Sequence, residues 1–325
     1  DAGFVVFYGD NAQGKTNALE AIWLLGTLKP LRGHKLRDLV AWEHSEAAIS
    51  CLVRSEDITR RLKVSIGQAG RSTEVDGKTS DLDDYFAAIR AISFVPADAA
   101  IVDSEPLYRR RWLDRAAFTR APAHLSVVRR FSRCVQQKAS ALRQGASAAV
   151  LDALDEAFAV AGGELAQRRD RTLQELAPHV SRLHRELAGR AVEVGLIYRT
   201  AARGTNAAER AEALRVRLGE ARVKEVDRRR CLVGPQSDDV SFTLDGQPTR
   251  TFGSRGQVRS LVLSLKLSEL LAARAHGEAP LFLLDDVSSE LDRARTGRLV
   301  ALLTDLRTQV FASTTDPAHI DGLPS

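Results

Sequence analysis

Methionine is absent from this 325-residue chain, even at position 1, and cysteine occurs only three times. The first absence leads us to expect a chain that starts late, or one from which modified methionines have dropped out, so that neighbours in this numbering need not adjoin. Cys51, Cys134 and Cys231 are an odd number without metal-ligand spacing. A disulfide framework and a zinc site are therefore not expected, and a reducing, cytoplasmic setting fits. No apolar run approaches the ~20 residues that span a bilayer, so no membrane segment is expected. Signal peptide, internal repeat and low-complexity linker are equally missing from view. What is present is 44% apolar and 27% charged residues, the balance of a globular protein with a real core. The length suits one large or two ordinary domains. A net charge of +5 and a pI near 9.3 are compatible with nucleic acid, although arginine clusters say more than the total.

The sharpest signal is Gly9-Asp10-Asn11-Ala12-Gln13-Gly14-Lys15-Thr16, which fits the phosphate-loop pattern G-x-x-x-x-G-K-S/T at every defined position. The β-prone run Phe4-Val5-Val6-Phe7 precedes it, and Asn17 to Leu25 reads as a helix. Gly9 and Gly14 permit backbone conformations closed to residues with a Cβ. Loop amides and helix N-terminus then form a nest for phosphate oxygens. Lys15 would reach the β- and γ-phosphates and Thr16 would bind Mg2+, so ATP and Mg2+ are the expected cofactors.

Further along, Ala48–Val53 and Arg61–Ile66 read as strands, with turns at Gly67, Gly70 and Asp76-Gly77. They predict an antiparallel sheet beside the nucleotide. A short helix is expected over 81–90, and Ile92–Val95 reads as a strand stopped by Pro96. Residues 106–186 are mostly helical. Leu151, Leu154, Phe158, Ala161 and Leu165, then Leu173, Leu176, Val180, Leu183 and Leu187, step by three and four. The phase slips at Arg168–Arg171, and each half holds only about two heptads, which favours ordinary helix packing over a long coiled coil. A strand over 192–198 and a charged helix over 207–225 follow. Val240–Leu244, the turn Asp245-Gly246 and Thr249–Phe252 predict a hairpin. A helix opens at 253–257 and buries Leu261, Val262, Leu265 and Leu270. Leu281–Leu284 and 309–315 are the last strands. The fold class expected is α/β: a phosphate-loop ATPase head with a mixed sheet and flanking antiparallel β subdomain. Residues 1–105 and 229–325 form its two parts, and 106–228 an inserted, mostly helical subdomain.

An apolar strand running into Asp285-Asp286 is what a phosphate-loop ATPase needs opposite its loop. Asp285 would hold Mg2+ with Thr16, and Asp286 would orient or deprotonate the attacking water. Ser254-x-Gly256-Gln257 stands at a helix start. A serine there is by itself a plain cap; the alternative is a γ-phosphate clamp of hydroxyl, glycine amide and helix dipole. Such a clamp cannot easily reach a phosphate cradled by its own chain, so it predicts a homodimer that sandwiches two nucleotides. Ser289-Glu290-Leu291-Asp292 would lie near that seam. Arg109–Arg111, Arg129-Arg130 with Arg133, and Arg228–Arg230 are candidate DNA contacts through their planar forks, or equally solvated helix faces; for Arg109–Arg111 a role in the fold or at the nucleotide is a further alternative. No base-reading motif is present, so binding should follow backbone and shape.

Loop, Ser-x-Gly-Gln, paired acids and Ser-x-Leu-Asp, in that order around a helical insertion, resemble the ABC-type ATPases. More closely, the chain resembles the RecF family of bacterial recombination mediators. The residues carrying this are 9–17, ending in Asn17; Arg109 to Arg115, similar to R-R-x-x-L-D-R; Leu232-Val233-Gly234-Pro235 with Asp238-Asp239; Phe252 to Gln257; and Leu283 to Asp292. The resemblance implies ATP-dependent dimerisation and weak, DNA-stimulated ATP hydrolysis. It also implies binding near single-strand/double-strand junctions with RecR and RecO, helping RecA onto gaps. Three departures stand out. Nothing precedes Asp1 where the family has a strand and an Asn-Phe-Arg-Asn-like segment, which leaves base and ribose contacts open. Gln236-Ser237 stands where the family tends to have His-Arg. Thr314-Thr315-Asp316 stands where ABC-type ATPases commonly carry a switch histidine, which also fits the RecF pattern, so Thr315 or Asp316 would replace it. The rival readings are a head of the SMC type, a transporter nucleotide domain, and a DNA-binding adaptor in which ATP is only a conformational switch.

Overall fold

The computed structural model describes residues 3–10, 13–31, 35–55, 58–68, 70–277, 279–286 and 291–315. In chain order the strands are β1 (Phe4–Tyr8), β2 (Ala47–Ser55), β3 (Ile58–Gly67), β4 (Gly70–Val75), β5 (Lys78–Thr79), β6 (Ala91–Phe94), β7 (Val194–Arg199), β8 (Asp239–Leu244), β9 (Gln247–Pro248), β10 (Leu281–Leu284) and β11 (Val310–Thr314). The helices are α1 (Lys15–Thr27), α2 (Leu82–Ala88), α3 (Ala100–Asp103), α4 (Pro106–Arg120), α5 (His124–Gln144), α6 (Ala148–Ala188), α7 (Ala207–Arg228), α8 (Thr249–Phe252), α9 (Arg255–Ala275) and α10 (Arg293–Asp305). The chain divides into two compact units, one of residues 1–99, 182–191 and 255–325, the other of 100–181 and 192–254.

The first unit holds a parallel sheet in the order β1-β11-β10-β6 and an antiparallel sheet in the order β2-β3-β4-β5. Strand β10 reads Leu-Phe-Leu-Leu without a polar break because it pairs on both sides, with β6 and with β11. Register decides where the chemistry falls. Tyr8 lies opposite Thr314 and Leu284 opposite both Ala312 and Phe94. The strands therefore end within two residues of one another, and Gly9, Asp285 and Thr315 follow them on one edge. Helix α1 packs on this sheet through Leu19 and Trp23, which cluster with Ala91 and Leu283. Cutting a buried leucine such as Leu19 back to alanine costs about 2–5 kcal/mol in cores of this kind. The approach is closest at Gly26, where an added Cβ would stand 2.5 Å from the Ala91 side chain. Helix α9 is buried along most of its length and brings Lys266 to Asp98, 3.0 Å apart.

Helix α6 is one continuous helix of 41 residues, of which 148–181 belong to the second unit and the last turns to the first. The apolar phase slip expected at 168–171 does not break it. Arg169 is buried there and Thr172 beside it, so polar side chains with partners fill the gap in the stripe. Phe131 of α5 meets Phe158 of α6 edge-on at 5.0 Å, amid Val127, Leu165, Leu214 and Leu218. Lys138 is fully buried and pairs with Asp155 at 2.5 Å and Glu225 at 2.6 Å, joining α5, α6 and α7. A three-stranded antiparallel sheet, β7-β8-β9, completes the unit. The hairpin turn at Asp245-Gly246 is present, but its second arm is only Gln247-Pro248. Thr249–Phe252, expected as strand, forms one helical turn instead, because Pro248 lacks an N–H with which to extend the ladder. Residues 229–254, read from sequence with the ATPase core, belong to this second unit, since β8 pairs along its length with β7.

Candidate nucleotide site

The loop after β1 is shaped by its glycines. Gly9 has φ 140° and Gly14 φ 85°, both in the left-handed half of the map that a Cβ disfavours. Gly14 is also the N-cap of α1, and no side chain caps that helix end. No acidic residue occupies its first turn. The first amides of α1 and the positive end of its dipole are thus left for an anion. Lys15 curls back over the loop and donates to the carbonyl oxygens of Gly9 and Asp10, each at 2.7 Å. Gln13 and Asn17 are exposed on the rim. Asn11 and Ala12 lie outside the described residues.

The edge formed by the strand ends brings the first acid to this loop. Thr16 Oγ1 donates to Asp285 Oδ1 at 3.3 Å, across 269 positions of sequence. Asp285 is buried, and its amide donates to the carbonyl of Phe94 at 3.1 Å. A hydroxyl and a carboxylate side by side are hard oxygen donors. Mg2+ takes few protein oxygens of this kind and completes its shell with phosphates and water, so the residues present fit that ion. Asp286 follows with φ 54°, a left-handed conformation uncommon for a non-glycine residue. Its amide donates to Ser313 Oγ at 2.9 Å, and Ser313 Oγ donates to Asp285 Oδ1 at 2.7 Å. Sequence reasoning missed Ser313; the available signal was a hydroxyl in the strand expected over 309–315, whose place beside the paired acids only the pairing of β10 with β11 shows.

A second constellation gathers at the start of α9. Ser254 is exposed immediately before the helix, and Gly256 and Gln257 lie in its first turn. Asp292 caps α10 by accepting from the amide of Arg295 at 2.8 Å, and its other oxygen pairs with the Arg295 guanidinium at 3.1 Å. That guanidinium lies over Gly256, where a Cβ would be 3.5 Å from it. Arg295, also missed from sequence, thereby links two residues expected at a subunit seam. Ser289 and Asp316 lie outside the described residues, and Thr315 ends the described chain exposed.

The stretch from Arg109 to Arg115 builds the second unit from within. Arg109 is buried and grips Asp239 with two bonds, Nε to Oδ1 at 2.5 Å and Nη2 to Oδ2 at 3.2 Å. Arg110 donates to the carbonyl of Asp238 at 2.7 Å. As DNA contacts Arg109 and Arg110 are therefore corrected to structural residues; only Arg111 of the three is exposed. Asp114 receives Arg169 Nε and Nη2, both at 2.8 Å, and His124 Nε2 lies at 3.1 Å. Burial by itself would raise the Asp114 carboxyl, but Arg169 and the bond from His124 outweigh it and hold it down at about 2. Tyr198 donates to Asp238, whose carboxyl is pushed up by burial despite that bond and nearby Arg169. Gln236 and Ser237, the departure from the family pattern, donate to the carbonyls of Val233 and Leu232 at 2.8 and 3.3 Å and so close their own turn. On the surface of this unit Arg130 pairs with Glu164, whereas Arg129, Arg133 and Arg228–Arg230 are exposed and form no ion pair among the described residues.

Phosphate loop, paired acids at the neighbouring strand ends and an inserted helical subdomain define the class: a phosphate-loop ATPase head of the ABC type. Residues 1–322 match the family described as the RecF/RecN/SMC N terminal domain. The chain belongs to this family, and within it to RecF. It is 39% identical over 320 residues to the DNA replication and repair protein RecF of Geobacter metallireducens, covering 97% of this chain and 87% of that one. The RecF of Anaeromyxobacter sp. (strain Fw109-5) is 42% identical over 323 residues, with the same coverage. Among solved structures, the recombination mediator protein RecF-ATP in the RecFOR pathway superposes with a TM-score of 0.89 at 28% identity, covering 97% of this chain and 87% of that one. An Smc head bound to the C-winged helix domain of ScpA reaches a TM-score of 0.54 at 13% identity over 99% of this chain and 85% of that one, a likeness of fold alone. No helix among the described residues is long and apolar enough to cross a membrane.

Proposed function

We propose that this chain is a RecF-like ATP-dependent DNA-binding protein of recombinational repair and replication restart. It binds ATP in the loop 9–16, dimerises around two nucleotides and hydrolyses them slowly, faster when DNA is bound. The observation that carries the reading is the meeting of Thr16 with Asp285 at the loop, 3.3 Å apart. Lys15 supplies the cation for the β- and γ-phosphates, Thr16 and Asp285 hold Mg2+, and Asp286 directs water. Bound Mg2+ neutralises charge that builds on the transferred phosphate. Ser254, Gly256, Gln257, Ser289 and Asp292 serve the nucleotide of a second copy. DNA is held by backbone and shape at gaps or single-strand/double-strand junctions, with exposed arginines such as Arg129 and Arg133 as contacts. RecO and RecR are the partners in helping RecA onto gaps; the solved RecF structures that this fold matches are described as recombination mediators in the RecFOR pathway.

The test is Ser254→Arg. The chain's own loop is untouched, so a single subunit should load ATP normally, yet the bulky side chain should block ATP-induced dimers. Light scattering with ATP, paired with a nucleotide titration, reads both. Normal dimers from this variant would reduce Ser254 to a helix cap and remove the two-subunit mechanism. Turnover with and without gapped DNA separates an ATPase from an adaptor that only switches.

A further inference from the structure

The two acids at the end of β10 do not stand alone. Ser313, one strand over on β11, is 2% exposed and its hydroxyl is used twice. It accepts from the amide of Asp286 at 2.9 Å and donates to Asp285 Oδ1 at 2.7 Å. We propose that Ser313 is the positioning residue of the catalytic acids. It selects the carboxylate oxygen of Asp285 that meets the metal, and it holds the backbone turn that aims Asp286. This rests on the roles given above to Asp285 and Asp286.

The geometry argues this in three steps. Asp285 Oδ1 already takes donors from Ser313 and Thr16, so the direction of the carboxylate plane is fixed and Oδ2 is turned to a defined side. Second, Asp286 sits at φ 54°, a conformation that costs an L-residue energy and persists only when something holds it. The bond from its amide to Ser313 is a hold of that kind. Third, Ser313 is anchored by strand register: it lies opposite Phe7 of β1, two residues before Gly9. Ser313 thus meets the loop strand through its backbone and both acids through its hydroxyl, on one edge. A displacement of the end of β11 would pass to both acids through this hydroxyl.

The experiment compares Ser313→Ala with Ser313→Thr, which keeps a hydroxyl. A fluorescent ATP analogue is titrated with and without Mg2+, and turnover and thermal unfolding are measured alongside. For Ser313→Ala we expect metal-free nucleotide binding to be native. The gain in affinity from Mg2+ and kcat should each fall roughly ten- to a hundredfold, the usual penalty for losing an outer partner of a metal ligand. Ser313→Thr should restore both. Native Mg2+ response and kcat in Ser313→Ala overturn the proposal. So does a loss of metal-free binding together with a lowered melting temperature, which would mark a hydroxyl that only supports the fold. Asp285→Asn is the control for the underlying reading. If it keeps the Mg2+ response, the acid assignment fails, and Ser313 with it; if it loses the response while Ser313→Ala does not, only the inference about Ser313 fails.

Discussion

Replacing Asp114 by asparagine tests the interior of the second unit and the meaning of the arginine-rich stretch that precedes it. Both oxygens of Asp114 receive Arg169, at 2.8 Å each, and Arg169 is 4% exposed. Asparagine keeps the shape but removes the charge and turns one acceptor into a donor that faces a guanidinium N–H. The nearest other carboxylate is that of Asp238, 3.9 Å from Arg169 Nη1, too long for a hydrogen bond. Arg169 is then a buried cation whose main partner is gone, which costs about 3–5 kcal/mol. The pH dependence supplies a second signature. The native carboxyl is held at about 2, below an unfolded carboxylate near 3.9, so the pair stabilises fully above that unfolded value. Its contribution, about 3 kcal/mol, is lost as pH falls from about 4 toward 2. Asp114→Asn should therefore be less stable at neutral pH and should lack this part of the acid-induced loss. Urea unfolding read by Trp112, buried in α4, measures both once Trp23 and Trp42 are changed to phenylalanine. A loss below about 1 kcal/mol at neutral pH, or an unchanged acid limb, would refute the assignment of a buried ion pair.

Three further outcomes bear on the nucleotide site. Lys15→Ala should weaken ATP binding by about tenfold or more, because a charge-assisted bond to phosphate is lost; native affinity in a titration would disprove the loop assignment. Asp286→Asn should keep ATP and lose about a hundredfold or more of turnover, accumulating as an ATP-bound dimer in size-exclusion chromatography. A well-folded variant that stays monomeric with ATP would count against Asp286 as the water-directing group. Arg295→Ala should leave ATP binding by the single subunit intact yet weaken ATP-driven dimers roughly tenfold, since it releases both Asp292 and the surface over Gly256; equal dimerisation constants by light scattering would show that Arg295 serves only α10.

The sequence by itself determined the elements whose chemistry is local. A phosphate loop is a run of backbone conformations, and Gly9 and Gly14 announce them; the left-handed φ values at both are what those residue types permit. Strand β10 was legible because burial on both sides leaves only apolar residues, and the stripe from Leu151 to Leu187 was legible because one helix face must be dry. Tertiary structure alone decided three things. Thr249–Phe252 looked like strand, yet Pro248 ends the ladder before it. Arg109 and Arg110 stood open between DNA contact, solvated face and a role in the fold; the carboxylate and carbonyl that decide for the fold, on Asp239 and Asp238, come from more than a hundred residues away. Ser313 and Arg295 matter through partners that no spacing rule connects. Ser313 reaches Asp285 only because β11 lies between β1 and β10, and Arg295 reaches Gly256 only because α10 carries it there. Periodicity and composition report what one segment needs from its surroundings, whereas which segment supplies it is set by strand order and register.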